Sequence, residues 1–253
     1  MKNSFKIPKI IHYCWFGGNP EPELMGKCIE SWIKYLPDYG LVLWNEENFD
    51  INSNIFVKEA YEAKKWAFVS DYVRLFALYN YGGIYMDTDV EVLKNLDGFL
   101  EHTAFSGYEN DTLIPTGIMG AEKNNSWIKD LLKYYENLPF VNHDGSFNTK
   151  PNTAIITKLT TEKYGFNAEK GFQVLKGGLT IYPKDYFCPK SYYDNTITIT
   201  ENTHAIHHFN GSWHSGYDKF RLKLHKIFIF IFGKTIHNYF VKKKHKKLND
   251  REK

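Results

Sequence analysis

Short apolar runs alternate with longer stretches of helical periodicity over about the first 215 residues of the chain. Apolar runs of four to six residues predict strands, and apolar positions three or four apart predict helices. The predicted strands are Ile10–Cys14, Leu41–Trp44, Ile84–Asp87, Thr103–Tyr108, Gly117–Ala121, Gln173–Leu175, Leu179–Tyr182 and Ala205–Phe209. The predicted helices are Pro22–Tyr35, Ile55–Lys64, Trp66–Tyr81, Trp127–Asn137 and Ala154–Tyr164. This alternation is typical of an α/β domain with a mostly parallel sheet covered by helices.

The helix predicted over Trp66–Tyr81 is apolar around almost its whole circumference, so we expect it to be buried. Ser70, Asp71 and Arg74 interrupt this surface on one face, because they are three or four positions apart. Buried charges are costly unless they are paired or bind something. Two interpretations stay open: an internal Asp71–Arg74 ion pair that fixes the helix, and a polar strip that lines a ligand pocket.

Two carboxylates follow the strand that comes after this helix. Gly82 and Gly83 end the helix, and the next strand runs into Asp87-Thr88-Asp89. Side chains two apart on an extended backbone point to the same side, and ligands of open α/β sheets bind beyond the carboxyl ends of strands. Two carboxylates there suit Mg²⁺ or Mn²⁺ bridging a diphosphate. A lone Asp-x-Asp is equally consistent with a solvated turn, so the context carries the metal hypothesis.

Four segments together resemble a known family. They are SDYVRLFALYNYGGIYMDTDVEVL from Ser70, IPKIIHYCWFGG from Ile7, DYGLVLWN from Asp38 and HHFNGSW from His207. They resemble the family 32 glycosyltransferases, which include fungal initiating mannosyltransferases and bacterial capsule enzymes, and are similar to the glucosyltransferase domains of clostridial toxins. The resemblance covers roughly residues 5–215.

The resemblance implies a GT-A fold, a sugar-nucleotide donor, expected to be a UDP-hexose, and a divalent metal, usually Mn²⁺. It implies transfer with retention of the anomeric configuration. By the same resemblance, Asp89 is the direct metal ligand, Asp87 contacts the ribose, the sugar or the metal shell, and Asp71 and Arg74 hold sugar hydroxyls.

Further donor-binding positions follow from the same resemblance. Ser70 and Tyr85 are assigned to the donor site, and Trp15, in the loop after the first strand, is expected to lie against the base. Ser212 and Trp213 are expected to approach the diphosphate, where oriented donors stabilise developing charge.

His208 is the further metal ligand that the resemblance suggests. His207 and His208 point to opposite faces if Ala205–Phe209 is a strand, so only one of them can face the site. His214 is a third candidate, and Trp15 is equally consistent with an ordinary core aromatic.

Two segments between the main motifs allow a structural and a functional interpretation. The glycine-broken stretch Pro115–Ala121 either brings backbone close to the sugar or bends a strand. Asn152 or Thr153 either caps the following helix or contacts a substrate.

Composition sets the broad class. The chain has 253 residues, 43% of them hydrophobic, which suits one α/β catalytic domain, placed at residues 1–217. Its three cysteines form no disulfide framework, and no apolar N-terminal run or stretch of about 20 apolar residues occurs. We therefore expect a cytoplasmic protein.

Residues 218–253 differ from the rest of the chain. Six apolar residues, Ile227–Phe232, lie between basic clusters, and Lys242–Lys247 is polybasic although the net charge of the whole chain is only +3. Such a segment can bind the anionic inner face of the cell membrane. It is equally consistent with packing on the catalytic domain and a solvated basic end. No nucleic-acid-binding module is recognisable.

The leading hypothesis is a metal-dependent retaining glycosyltransferase of bacterial surface-polysaccharide synthesis, with a glycan or lipid-linked saccharide as acceptor. No carboxylate stands out as a catalytic nucleophile. The alternatives are a toxin-type protein glycosyltransferase and a non-catalytic module that binds sugar nucleotides or glycans. A metal phosphohydrolase is more remote, because a two-metal site would need more clustered Asp and His.

Overall fold

The computed structural model describes residues 5–114, 117–191 and 195–210. The candidates Ser212, Trp213 and His214, the segment 218–253 and the boundary after residue 217 lie outside these described residues. Ser191, Asn195 and Thr196 belong to a unit separate from the main one, and in it the Ser191 amide donates to the Thr196 carbonyl.

Nine strands are present among the described residues. They are β1 (Ile10–Cys14), β2 (Gly40–Trp44), β3 (Gly83–Met86), β4 (Val90–Val92), β5 (Ala104–Gly107), β6 (Ile118–Ala121), β7 (Gln173–Val174), β8 (Leu179–Tyr182) and β9 (Ala205–His207). Seven of them form one sheet in the order β2-β1-β3-β6-β5-β8-β7. The pairs β1–β2, β1–β3 and β5–β8 are parallel, whereas β6 runs antiparallel to both β3 and β5, and β7 to β8. Five strands therefore share one direction, and the predicted mixed, mostly parallel sheet is confirmed.

Helices flank this sheet. They are α1 (Glu23–Tyr35), α2 (Ile55–Glu62), α3 (Trp66–Tyr81), α4 (Ser126–Lys133), α5 (Asn152–Leu159) and α6 (Lys184–Phe187). A π-helical turn, Thr160–Tyr164, continues α5, and 3₁₀ turns occur at Ile51–Ser53, Asp97–Phe99 and Lys176–Gly178. The predicted bounds of α3 are confirmed, whereas α4 ends before the predicted Asn137. No helix in the described part of the chain combines the length and apolar character needed to cross a bilayer.

The core lies on both faces of the sheet. All four residues of β3 are buried, and successive side chains enter different clusters. Tyr85 packs with α3 residues such as Val73, whereas Ile84 packs with Trp32 of α1. Burial on both faces explains why the strands read as continuous apolar runs in the sequence.

A second, two-stranded sheet was not predicted in full. β4 pairs antiparallel with β9, so that Val90 lies opposite His207 and Val92 opposite Ala205. The Trp32 indole of α1 donates a hydrogen bond to the Val90 carbonyl at 2.7 Å. This small sheet brings the end of the described chain next to the Asp87-Thr88-Asp89 turn.

Candidate metal centre

The turn between α3 and β3 positions the candidate site. Gly82 and Gly83 have φ angles of 67° and 114°, a region that favours glycine. A Cβ on Gly83 would lie 2.6 Å from the Ile10 carbonyl oxygen, so a side chain there would push β3 away from β1. The close approach holds β3 in the sheet, and Asp87 then follows at its carboxyl end.

Asp87, Asp89 and His207 form a cluster whose ligand atoms all lie within 4.8 Å of one another. His207 Nε2 is 3.2 Å from Asp89 Oδ1 and 3.8 Å from Asp87 Oδ2. The three side chains are 12–23% exposed, so solvent reaches them. Two carboxylate oxygens and one imidazole nitrogen are donors that Mn²⁺ and similar divalent ions accept, so the residues fit a metal.

Opposite charges hold Asp89 and His207 together. Burial opposes ionisation of both groups, but the charge of His207, its hydrogen bond and the Asn210 amide at 2.8 Å lower the pKa of Asp89 to about 2. Asp89 in turn raises the pKa of His207 well above its ordinary value. His207 Nε2 and Asp89 Oδ1 thus face each other at 3.2 Å, where a divalent cation would compete with the proton that the histidine binds.

Asp87 is held from the opposite side by a buried arginine. Arg74 Nη2 lies 3.2 Å from Asp87 Oδ1 and 3.1 Å from Asp71 Oδ1, and its side chain is only 6% exposed. The Tyr85 hydroxyl donates to Asp87 Oδ1 at 3.0 Å, and the guanidinium lies 4.5 Å from the Tyr85 ring centre. The Asp71–Arg74 ion pair, one of the two interpretations that the sequence left open, is therefore present, and through Arg74 it extends to Asp87 of the metal cluster.

Asp71 and Asn152 form a buried polar pair beside this arginine. The Asn152 amide donates to Asp71 Oδ1 at 2.9 Å. Burial raises the pKa of Asp71 to about 6, although Arg74 and Asn152 act to lower it. Asn152 Oδ1 is buried and has no hydrogen-bond partner among the described residues. Asn152 is the first residue of α5. Its side chain binds Asp71 and does not cap the helix.

Two further donor-binding candidates among the described residues, Ser70 and Trp15, lie on α3 and on the loop after β1. The Ser70 hydroxyl donates to the Trp66 carbonyl of its own helix at 3.2 Å. Trp15 is half-buried, and its indole donates to the Asn19 carbonyl at 2.8 Å. A cavity of about 470 Å³ lies beside this loop, lined by Gly17, Asn19, Tyr61, Glu62, Lys64 and Trp66.

The geometry replaces His208 by His207 as the histidine of the cluster. His208 Nε2 lies 2.8 Å from Glu91 Oε2, on the opposite side of the strand. The reason is the alternation of side chains in β9 together with its register on β4, which sets His207 opposite Val90. Only this long-range register distinguishes the two neighbouring histidines.

Glu109 is a nearby carboxylate that the sequence interpretation missed. It follows β5 at the same edge of the sheet as Asp87. Burial raises the pKa of Glu109, while the charge of His207 acts to lower it. Its position after a strand that shares the direction of β3 was the available signal.

Comparison with known proteins finds a family model that is similar to the central region. Residues 22–106 match the family described as "Glycosyltransferase sugar-binding region containing DXD motif". Inositol phosphoceramide mannosyltransferase 3 of Schizosaccharomyces pombe is 35% identical over 140 residues, which cover 54% of this chain and 38% of the relative. Mannosyl phosphorylinositol ceramide synthase CSH1 of Saccharomyces cerevisiae is 29% identical over 224 residues, which cover 83% of this chain and 54% of the relative. The chain thus matches between about two fifths and a half of the length of these curated relatives.

Solved structures give weaker similarities. The PaToxG glycosyltransferase superposes with a TM-score of 0.47 at 18% identity, over 62% of this chain and 69% of that chain. A glycosyltransferase involved in glycosylation of the major capsid of PBCV-1 gives a TM-score of 0.43 at 14% identity, over 87% of this chain and 100% of that chain.

Proposed function

We propose that this chain is a metal-dependent enzyme that transfers a hexose from a nucleotide sugar to a saccharide or lipid-linked acceptor. The match of residues 22–106 to the DXD-motif sugar-binding region of glycosyltransferases supports this proposal. The observation that carries this proposal is the cluster of Asp87, Asp89 and His207 at the carboxyl edge of the sheet. In this cluster, two acidic residues of the matched region, Asp87 and Asp89, lie beside His207, which is 118 positions further along the chain than Asp89.

Asp87, Asp89 and His207 would hold the divalent ion. Breaking a sugar–phosphate bond leaves negative charge on a nucleoside diphosphate, and a bound Mn²⁺ or Mg²⁺ supplies the positive charge that offsets it. Arg74 and Tyr85 contact Asp87 Oδ1, so the other carboxylate oxygen stays directed at His207. The protein thereby fixes both ends of the Asp-x-Asp motif before any ligand binds.

The polar pair beside Arg74 supports recognition of the donor sugar. Asp71 and Asn152 present a carboxylate and an unpaired carbonyl oxygen, both buried next to the metal cluster. Acceptors of this kind suit sugar hydroxyls, because a buried polar group that lacks a partner is unfavourable. The cavity that Tyr61 and Trp66 line beside the Trp15 loop has the room and the aromatic surface that suit a nucleobase.

The acceptor and the cellular setting remain part of the proposal. The curated relatives are named as fungal transferases of mannose to inositol phosphoceramide, which favours a lipid-linked acceptor and adds mannose to the candidate hexoses. They lend no support to the predicted role in bacterial surface-polysaccharide synthesis. We also propose that the protein acts in the cytoplasm, at the inner face of the membrane, and that it retains the anomeric configuration. Each of these two points rests on the sequence alone.

A panel of UDP- and GDP-hexoses tests the proposal. The purified protein is incubated with each donor and Mn²⁺, Mg²⁺ or EDTA, and released nucleoside diphosphate is measured. We expect metal-dependent release from one donor, lowered about 10²–10³-fold by Asp89→Asn. The matched control is Glu30→Gln, an exposed acid on α1, which should leave release unchanged. Release that is insensitive to both EDTA and Asp89→Asn would contradict the metal-dependent mechanism.

Binding experiments separate the alternatives. Metal-dependent donor binding without release under any acceptor would favour the non-catalytic module. Release that rises only with a protein acceptor would favour the toxin-type enzyme. Release that rises with a glycolipid acceptor would support the proposal in full.

A further inference from the structure

Gly117 lies directly against the ring of His207. A Cβ built on Gly117 would be 2.8 Å from His207 Nδ1, 3.0 Å from Cε1 and 3.1 Å from Cγ. Non-bonded carbon atoms prefer separations of about 3.5–4.0 Å, so the imidazole occupies the space that a side chain would fill. The ring contact alone is therefore enough to favour glycine at this position.

The same residue also contacts the other end of the metal cluster. The Gly117 carbonyl accepts the Asp87 amide hydrogen at 2.8 Å. One residue directly before β6 thus touches both the ring of His207 and the backbone of Asp87. Any displacement of the ring relative to this backbone changes the distance between His207 and Asp87.

The two nitrogens of the His207 ring differ in their partners. Nε2 lies 3.2 Å from Asp89 Oδ1, whereas Nδ1 is buried and has no well-formed hydrogen bond among the described residues. The Cys188 side chain is a further polar neighbour of the ring. Metal-binding histidines usually donate their second N–H to a fixed acceptor, which sets the orientation of the ring. Here the His207 ring is instead positioned by packing. It contacts Gly117 and lies 4.2 Å, centre to centre, from the Phe209 ring.

We infer that Gly117 is a positioning residue of the candidate metal site: its missing side chain lets the His207 imidazole lie with Nε2 directed at Asp87 and Asp89. This inference rests on the proposed metal role of the cluster. A methyl group at this position forces the ring to shift by several tenths of an ångström, because the contact is too short to tolerate. Metal–ligand distances are defined to about ±0.2 Å, so such a shift changes the distances from His207 Nε2 to the two carboxylates by more than a metal site tolerates.

The test is a double-variant cycle in which the binding of Mn²⁺ alone is measured. Free Mn²⁺ is followed by its electron paramagnetic resonance signal for the wild type, Gly117→Ala, His207→Ala and the double variant. We expect Gly117→Ala to weaken Mn²⁺ binding at least tenfold. In the His207→Ala background the same substitution should change it less than twofold, because the ring through which it acts is gone. Gly26→Ala, at an exposed glycine whose Cβ would meet nothing within 4 Å, should leave binding unchanged.

Thermal unfolding without metal keeps the test decisive if Gly117→Ala folds poorly. The contact predicts that His207→Ala restores the melting temperature of Gly117→Ala, because it removes the group that the methyl strikes. Equal Mn²⁺ affinity of Gly117→Ala and wild type would overturn the inference, and so would equal losses with and without His207. Failure of the wild type to bind Mn²⁺ would instead overturn the metal site itself, and the inference with it.

Discussion

Asp87 and Asp89 are only two residues apart, yet different parts of the chain hold them. Asp87 is tied to the interior through Arg74 of α3 and through Tyr85 of its own strand. Asp89 is tied to the end of β9 through His207 and the Asn210 amide, which is 121 positions away in sequence. We call the Asp71, Arg74, Tyr85 and Asn152 contacts the inner side of the site, and the Asp89, His207 and Asn210 contacts the outer side.

The two sides differ in how charge is treated. On the inner side, burial dominates and raises the pKa of Asp71 to about 6. On the outer side, the partners outweigh burial and lower the pKa of Asp89 to about 2. The inner side is therefore a buried network that supports the fold. The outer side keeps Asp89 ionised at a place that solvent reaches. Damage to the inner side should therefore appear first in stability, and damage to the outer side in metal binding.

The largest expected effect concerns the inner arginine. Arg74→Met removes the cation that joins Asp71 to Asp87 and leaves a buried carboxylate without its charge partner. We expect the free energy of unfolding to fall by about 3–5 kcal/mol, as for other broken buried ion pairs. Chemical denaturation of the metal-free protein measures it.

Two further variants control this prediction. Arg74→Met combined with Asp71→Asn should recover part of the loss, because the stranded charge is gone. Lys27→Met, which breaks an exposed pair with Glu23, should leave stability unchanged. A loss from Arg74→Met no larger than that from Lys27→Met would mean that the inner network does not support the fold.

The inner side, apart from Asn152, was predictable from sequence because its geometry is local. Spacing within one helix places Asp71 and Arg74 on one face, and the glycine pair and short strand lead directly to Asp87. The predicted bounds of α3 are confirmed, as are the fold class and the resemblance to glycosyltransferases. Contiguous motifs carry this information because few residues separate the groups that meet.

The outer side was not predictable, because it depends on pairing between distant segments. β4 has only three residues, too few for a periodic pattern, and its register on β9 decides which histidine reaches Asp89. Glu109 was missed for the same reason, because the order of strands brings it to the site. On the inner side, the role of Asn152 was left open, because only the docking of α5 brings it to Asp71. Donor residues at Ser212 and Trp213 stay predictions.

A pH titration sharpens the contrast between the two sides. The pKa of Asp71 is raised from 3.8 to about 6 in the folded protein. Its contribution to stability is fully present below about pH 4 and is lost as the pH rises through about 6. The free energy of unfolding of the wild type should therefore fall relative to Asp71→Asn by about 2–3 kcal/mol between pH 4 and 7. If the wild type and Asp71→Asn showed parallel curves of unfolding free energy against pH over this range, the pKa of Asp71 would not be raised on folding. The contrast with Asp89, whose pKa is lowered, would then be lost.

The smallest expected effect distinguishes the two adjacent histidines. His208 and Glu91 form a pair whose side chains are 19% and 39% exposed, and such pairs contribute below about 1 kcal/mol. His208→Gln should therefore leave Mn²⁺ affinity within twofold of the wild type, whereas His207→Gln removes a ring nitrogen from the cluster and should weaken it at least tenfold. Both are measured on the protein with Mn²⁺ alone. If His208→Gln weakened binding and His207→Gln did not, the β9 register would fail to explain the outer side, and the ligand assigned from the family resemblance would stand.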